Sequence, residues 1–319
     1  MQETQLPASP LGSTGLEISR VGFGAWAIGG GGWEFGWGPQ ADDESIAAIR
    51  RALDLGVNWI DTAAAYGFGR SEQIVGRALA GLHERPFVFT KGSLLDDGTR
   101  HVRHVLKRDS ILREAEASLR RLGTDAIDLY QIHWPIPDED IEEGWAAMAE
   151  LKERGLVRHI GVSNFSASQL HRIQPIAPVE TIQPPYSLID RGAEAEILPL
   201  AQRDGIGVIV YSPMGSGLLT GGITRERIAA MPGDDWRKTD PRFTEPQLSR
   251  HLALAARLRA VAARHGAAPG AVAIAWALRN PAVDGAIAGF RRPAQVDPIL
   301  AAARLELTSQ DLAEIEAAD

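Results

Sequence analysis

The sequence contains no cysteine among its 319 residues. This absence rules out disulfide bonds, thiolate catalysis, and zinc or iron–sulfur centres held by cysteine ligands. Long apolar runs are also missing, since none approaches the ~18 residues that a transmembrane helix needs, and no membrane partner is expected. The first residues, MQETQLPASP, contain neither a basic segment nor an apolar stretch. No secretory signal is therefore predicted, and the cytoplasm is the expected location.

Positive charge is in the minority, with 33 lysines and arginines against 41 aspartates and glutamates. The formal net charge is −8, and this acidic balance argues against a nucleic-acid partner. The chain is 45% hydrophobic and 23% charged, which is typical of a globular protein. Because no low-complexity linker or break in composition divides the sequence, we expect a single domain over residues 1–319.

A short apolar run followed by a helical pattern recurs eight times along the chain. The runs are rich in β-branched or aromatic residues, as strands are when a parallel sheet buries both faces. Helices are predicted between them, for example over residues 42–55 and 109–122. This alternation predicts an α/β fold, a (β/α)8 TIM barrel. The predicted strands span residues 20–24, 58–62, 87–91, 127–133, 159–163, 181–183, 207–211 and 286–289.

Two segments lie outside this repeat. Residues 5–20 predict an N-terminal β-hairpin around Ser13, Thr14 and Gly15, placed to cover the bottom of the barrel. Residues 215–247, rich in Gly, Pro and Asp, form a long loop after the seventh predicted strand. A loop of this length in a compact domain is usually either functional or disordered. Because it follows a strand, we expect it to lie at the active face of the barrel.

Titratable side chains stand at the ends of three consecutive predicted strands, where a barrel of this type has its site. They are Asp61, Lys91 and His133, and Tyr66 lies five residues beyond the first of them. A phenol has a pKa of about 10, which a neighbouring ammonium group lowers. Lys91 can supply that charge, and Asp61 can hold Lys91 in place. The group predicts a general acid aimed at a carbonyl oxygen while hydride arrives at the carbon.

The strand-end residues lie in motifs that resemble the signature of the aldo-keto reductases. The similarity runs over about residues 11–317, with the motifs in the family's order at the predicted strand ends. The long loop and the sequence Ile-Gln-Pro-Pro-Tyr are similar to a bacterial branch that includes general stress and inositol-operon reductases. The motifs are DTAAAYG at 61–67, SE at 71–72, TK at 90–91, DLYQIH at 128–133, GVSNF at 161–165, QPPYS at 183–187 and YSPM at 211–214.

This resemblance implies reduction of aldehydes or ketones with a nicotinamide cofactor, or the reverse oxidation of alcohols or sugars. Tyr66 would donate the proton, supported by Lys91, Asp61 and His133. Residues 163–218 would hold the nicotinamide and pyrophosphate, and residues 289–295 the adenosine end. The cofactor residues implied in this way are Ser163, Asn164, Gln183, Tyr211, Ser212, Pro213, Met214, Ser216, Gly217, Leu218, Gly289, Arg291 and Gln295.

Two positions near the C-terminus depart from the pattern of many family members. Ile299 stands where many members have an asparagine that contacts adenine. Gln295 stands where many have an arginine against the 2′-phosphate of the cofactor. Arg291 and Arg292 can replace that contact, because guanidinium groups suit phosphate. We therefore expect NADP(H) to be favoured, with NAD(H) possible.

Tryptophans follow the first and fourth predicted strands. An aromatic wall for an apolar carbonyl substrate is expected from Trp26, Trp33, Trp37 and Trp134, with ordinary packing as the alternative. Residues 22–27 match the dinucleotide pattern G-x-G-x-x-A, but four glycines at 29–32 cannot continue as the helix that this reading needs. No metal site is predicted, because no second ligand stands at the right spacing from His133.

Two other functions compete with catalysis by a reductase. One is a non-catalytic, cofactor-binding regulatory subunit similar to the potassium-channel β-subunits, which share these motifs. The other is a different barrel enzyme that binds a phosphorylated sugar, which the Tyr–Lys–Asp group disfavours. The sequence leaves the physiological substrate and the oligomeric state open.

Overall fold

Eight parallel strands close into a barrel in the computed structural model, which describes residues 6–317. The (β/α)8 prediction is confirmed, and each predicted strand corresponds to one barrel strand. The strands are β1 (Ala8–Pro10), β2 (Glu17–Ser19), β3 (Val21–Gly24), β4 (Trp59–Asp61), β5 (Phe87–Gly92), β6 (Leu94–Asp96), β7 (Val102–His104), β8 (Ile127–Ile132), β9 (Val157–Ser163), β10 (Thr181–Gln183), β11 (Gly207–Val210) and β12 (Gly285–Gly289). Around the barrel the order is β3, β4, β5, β8, β9, β10, β11, β12.

Helices cover the outside of the barrel and share its main hydrophobic core. Glycines in the left-handed conformation end three of the described helices, because a side chain would be strained there: Gly123 at φ +63°, Gly205 at φ +69° and Gly266 at φ +60°. None of the helices in residues 6–317 is long and apolar enough to cross a membrane. The helices are α1 (Asp42–Asp54), α2 (Arg70–Leu79), α3 (Arg108–Leu122), α4 (Ile141–Glu153), α5 (Ala167–Ile173), α6 (Ile197–Asp204), α7 (Arg225–Ala229), α8 (Gln247–His265), α9 (Pro269–Leu278), α10 (Val296–Leu300) and α11 (Ser309–Ile315).

The N-terminal hairpin closes the bottom of the barrel, as predicted. Strands β1 and β2 pair antiparallel, with Ala8 opposite Ser19. Leu11 and Ile18 are fully buried in a second core cluster formed with side chains inside the barrel, among them Trp59 and Phe89. These side chains seal the end of the barrel that lies opposite the strand-end residues.

The mouth of the barrel carries three additions to the minimal fold. Residues 29–38, here called the mouth loop, follow a short 3-10 helix at Ala27–Gly29 rather than an α-helix, so the dinucleotide motif is correctly rejected. Strands β6 and β7 form an antiparallel hairpin that the sequence analysis missed. The long loop of residues 215–247 contains α7 and three 3-10 helices, and it has a small core of its own around Leu218 and Phe243.

Candidate active site

Asp61, Lys91 and Tyr66 meet where strands β4 and β5 end. Lys91 Nζ donates hydrogen bonds to Asp61 Oδ1 at 2.5 Å and to the Thr62 carbonyl oxygen at 3.0 Å. It also donates to Tyr66 Oη at 3.5 Å. Because an ammonium group has three donors, these contacts fix Lys91 between the carboxylate and the phenol. The fourth predicted group, His133, packs its ring edge-on against Tyr66, with centroids 5.6 Å apart.

Burial dominates the titration of these side chains. It raises the pKa of Tyr66 well above its ordinary value, and the Asp61 carboxylate adds to the rise. Burial also lowers the pKa of Lys91, which Asp61 opposes, and lowers that of His133 well below its usual value. The pKa of Tyr66 is therefore raised and not lowered as expected, because burial and the nearby Asp61 carboxylate both disfavour the phenolate. At neutral pH the phenol is protonated and the imidazole is neutral.

Gln183, the last residue of β10, contacts the Asp61 carboxylate from the opposite side of the barrel. Its Nε2 donates to Asp61 Oδ2 at 2.8 Å, so both oxygens of that buried carboxylate have a partner. Ser163 Oγ donates to the Gln183 carbonyl oxygen at 2.8 Å. These bonds place two of the predicted cofactor residues directly beside the catalytic group.

Asn164 links the other predicted residues of this wall. It adopts the left-handed conformation at φ +65°, which asparagine tolerates better than most residues. Its Oδ1 accepts from Tyr211 Oη at 2.9 Å, and its Nδ2 donates to the His133 carbonyl oxygen at 2.9 Å. The backbone after β9, the tyrosine ring after β11 and the histidine after β8 are therefore held in one network.

A cavity of about 540 Å³ opens at this end of the barrel. Leu218, predicted at the pyrophosphate, is fully buried in the core of the long loop and does not line the cavity. Lys91 is also absent from the lining, since it lies behind Asp61 and Tyr66. The predicted residues that do line the cavity are Trp26, Trp33, Asp61, Tyr66, His133, Trp134, Ser163, Asn164, Gln183, Tyr211, Ser212, Pro213, Met214, Ser216, Gly217, Gly289, Arg291 and Gln295.

Guanidinium groups line the end of the cavity beyond β12. Arg291 Nε donates to Gln40 Oε1 at 2.7 Å, and its backbone N–H donates to Gln295 Oε1 at 2.8 Å. Arg237, which the sequence analysis missed, also lines this end and is paired with Asp235 at 2.6 Å. No motif singled it out, because it lies in the long loop, whose conformation the sequence did not predict.

The other two C-terminal positions that the sequence analysis weighed lie outside the cavity. Arg292 is exposed and absent from the lining. Ile299 is 9% exposed and packs in the main core. A contact between the cofactor and these two side chains finds no support in the structure.

An aromatic cluster walls the cavity above Tyr66. Trp26 stacks on Trp236 of the long loop, with centroids 5.2 Å apart and planes 17° apart, and meets Trp37 edge-on at 5.3 Å. Trp134 stands at the rim with 38% of its surface exposed. Trp33 is 6% exposed, so it supports the wall mainly by packing. Trp37 lines the cavity, as expected from its place after the first strand. Trp236 also lines it and was not predicted, although its position in the long loop offered a signal.

The chain matches the model of the Aldo/keto reductase family over residues 20–319. Together with the barrel and the strand-end group, this match shows that the chain belongs to that family. It is an oxidoreductase acting on carbonyl or alcohol groups. The resemblance stated from the motifs is confirmed, and the relatives described next give no support to the regulatory-subunit alternative.

Individual relatives cover nearly the whole chain. Aldo-keto reductase YhdN of Bacillus subtilis (strain 168) is 42% identical over 308 residues, which are 96% of this chain and 91% of that protein. The NADH-specific methylglyoxal reductase of Escherichia coli (strain K12) is 37% identical, covering 95% of each chain. The solved structure of the glycerol dehydrogenase AKR11B4 from Gluconobacter oxydans has a TM-score of 0.85 and 38% identity, covering 99% of this chain and 95% of that one.

Proposed function

We propose that the chain reduces an aldehyde or ketone to an alcohol, with Tyr66 as the proton donor. The observation that carries this proposal is the contact of Tyr66 Oη with Lys91 Nζ, at 3.5 Å, at the wall of the cavity. A reduced nicotinamide cofactor bound in the same cavity supplies the hydride. The reverse reaction, oxidation of an alcohol or sugar, uses the same groups.

Proton transfer from Tyr66 follows from the charges around it. Its high pKa keeps the phenol protonated at neutral pH, as an acid must be before the reaction. When the proton leaves, the Lys91 ammonium is close enough to stabilise the phenolate. Burial lowers the pKa of Lys91, and the Asp61 carboxylate opposes this by favouring the charged form. The neutral ring of His133 lies beside the phenol, where it can form a hydrogen bond with the carbonyl oxygen of the substrate.

The residues along the cavity fit a nicotinamide dinucleotide. Ser216 Oγ is buried without a hydrogen-bond partner, and a bound ligand would satisfy it. A side chain added at Gly217 would meet no atom closer than 3.7 Å, so the backbone there is open to close approach. In our proposal Ser163, Asn164 and Gln183 hold the carboxamide, and Tyr211 stacks on the ring. The pyrophosphate lies along residues 212–217, and the adenosine end meets Gly289, Arg291 and Gln295.

For the choice of cofactor, we propose that NADP(H) is preferred and that NAD(H) is also used. Arg291 lines the proposed adenosine end, where burial lowers its pKa and like-charge repulsion from nearby Arg237 lowers it further. Two guanidinium groups favour the additional phosphate of NADP(H). Membership of the family does not decide the question, because the E. coli relative is NADH-specific by name.

The substrate that we propose is a small apolar carbonyl compound, such as an aromatic aldehyde. The support is the cluster of Trp26, Trp37 and Trp236 above Tyr66, since aromatic faces bind planar apolar groups. Neither a nucleic acid nor a membrane is part of this proposal. We place the reaction in the cytoplasm, where reduced nicotinamide cofactors are regenerated.

Replacing Tyr66 by phenylalanine tests the proposed function. The Tyr66→Phe variant keeps the ring and loses the proton, so turnover of nitrobenzaldehyde should fall by about 10²–10⁴-fold, the usual contribution of a general acid. The rate is followed by consumption of NADPH, and cofactor binding is measured separately by fluorescence. Binding should be unchanged. A variant with near-normal turnover would contradict the assignment of Tyr66.

A further inference from the structure

A buried carboxylate on the outer side of strand β5 has no part in the mechanism above. Glu114 projects from α3 and is 6% exposed. Its Oε2 accepts a hydrogen bond from the backbone N–H of Ser93 at 2.9 Å, and its Oε1 accepts from Ser110 Oγ at 3.0 Å. Within residues 6–317, no cationic side chain forms an ion pair with it. A buried carboxylate without a cation is uncommon and costly.

Two titratable groups from neighbouring elements and one from its own helix face Glu114. Glu72 of α2 takes the nearest cation, because Arg121 of α3 donates to it at 2.5 Å. Tyr130 of β8 has a buried hydroxyl that finds no hydrogen-bond partner among residues 6–317. Burial raises the pKa of Glu114 to about 7, and the charge of Glu72 adds to this rise. The hydrogen bonds from Ser110 and the Ser93 N–H, together with the Arg121 charge, oppose it.

The contact at Ser93 leads directly to the active site. Ser93 stands two residues after Lys91 and adopts the left-handed conformation at φ +82°. The carbonyl oxygen of the intervening Gly92 accepts a hydrogen bond from the backbone N–H of His133 at 3.1 Å. The carboxylate therefore holds the peptide group that follows the end of β5, and that end holds the backbone of the histidine.

We propose that Glu114 is a positioning residue whose ionised carboxylate fixes the end of β5, and with it Lys91 and His133, so that activity depends on its protonation state. An ionised acceptor binds the Ser93 N–H more strongly than a protonated one does. The protonated carboxyl group also becomes a donor, which the oxygens of Glu72 and Tyr130 attract. This inference rests on the proposed roles of Lys91 and His133.

The sign of the pH dependence follows. The site is best ordered when Glu114 is ionised, so kcat/KM should rise as pH increases through about 7. The pKa of His133 lies well below its usual value and that of Tyr66 well above, so neither accounts for a step in this range.

The variant Glu114→Gln tests the proposal, since it imitates the protonated form at every pH. The wild type should gain about fivefold in kcat/KM between pH 6 and pH 8, the size of effect that one transmitted contact produces. Glu114→Gln should lack this step and stay at the low-pH rate. The matched control, Glu116→Gln, lies on the exposed side of the same helix and should keep the step. Ser110→Ala removes a hydrogen bond that lowers the pKa of Glu114, so its step should move to higher pH.

An infrared readout separates this inference from the proposed function. The carbonyl band of a protonated buried carboxyl group should appear below pH 7 in the wild type and be absent from Glu114→Gln. This measurement needs no turnover, so it stands even if Tyr66 proves not to be the acid. A step that persists in Glu114→Gln overturns the proposal. An equal loss of rate at all pH values would show a merely structural role and would overturn it too.

Discussion

The two cations Lys91 and Arg291 differ in whether their hydrogen-bond partners are charged or neutral. Lys91 donates hydrogen bonds to the Asp61 carboxylate, the Thr62 carbonyl oxygen and Tyr66, and these bonds hold its ammonium group in place. Arg291 donates one hydrogen bond from Nε to Gln40 and another from Nη2 to the Pro39 carbonyl oxygen. These contacts hold the guanidinium rigid without cancelling its charge, because both acceptors are neutral. A rigid, uncancelled cation suits a phosphate ligand.

The variant Arg291→Ala is therefore expected to distinguish the two cofactors. Loss of a charge-assisted contact should raise the dissociation constant for NADPH about tenfold or more, and that for NADH much less. The dissociation constants can be measured by quenching of tryptophan fluorescence. Arg292→Ala is the control, since that side chain is exposed and does not line the cavity. Equal losses for NADPH and NADH would remove the phosphate role that we assign to Arg291.

The mouth loop forms hydrogen bonds with both the long loop and the β6–β7 hairpin above the barrel. Gly32 N–H donates to Asp234 Oδ2 of the long loop at 2.9 Å, and Trp236 N–H donates to the Gly36 carbonyl oxygen at 3.1 Å. On the other side, Val102 N–H of strand β7 donates to Glu34 Oε2 at 2.9 Å. The mouth loop, the β6–β7 hairpin and the long loop are distant in sequence, but these hydrogen bonds connect them above the cavity.

The sequence predicted the barrel strands because each one is a local apolar run that ends at a turn signal. It also predicted that Asp61, Tyr66, Lys91 and His133 lie together, since the ends of parallel strands meet at one face. It did not predict β6, β7 or the folded state of the long loop. These short pieces are stabilised by contacts with the mouth loop rather than by a pattern of their own. The raised pKa of Tyr66 was not predicted either, because it results from burial in the folded site.

Trp236 should set the preference for aromatic substrates. The Trp236→Ala variant removes the partner of Trp26, so kcat/KM for nitrobenzaldehyde should fall about five- to tenfold, the value of one aromatic pair. A small aliphatic aldehyde such as propanal should lose much less, because it contacts little of the wall. Trp236→Phe should restore most of the preference. If both substrates lose equally, Trp236 shapes the loop and not the selectivity.

The two ends of the barrel differ in what they contribute to the protein: one carries the proposed active site, and the other contributes stability. The proposed catalytic group, the cavity and the aromatic wall all lie at the end where the strands finish. The opposite end is sealed by the N-terminal hairpin, whose Leu11 approaches the backbone of Gly207 at the start of β11. Barrels of this type place function at the first end and stability at the second, so a change at the bottom should leave the chemistry intact.

Truncating Leu11 provides the test of this separation. The side chain is fully buried with Ile18 and Trp59, so Leu11→Ala should lower the free energy of unfolding by about 2–5 kcal/mol. Urea denaturation measures this loss, and kcat/KM for nitrobenzaldehyde at low temperature measures the site. The second value should stay within about twofold of the wild type, because Tyr66 and Lys91 lie at the far end. Leu16→Ala, at a partly buried position of the same hairpin, should cost less. A large fall in kcat/KM of the folded Leu11→Ala protein would show that the hairpin and the catalytic end are coupled through the barrel.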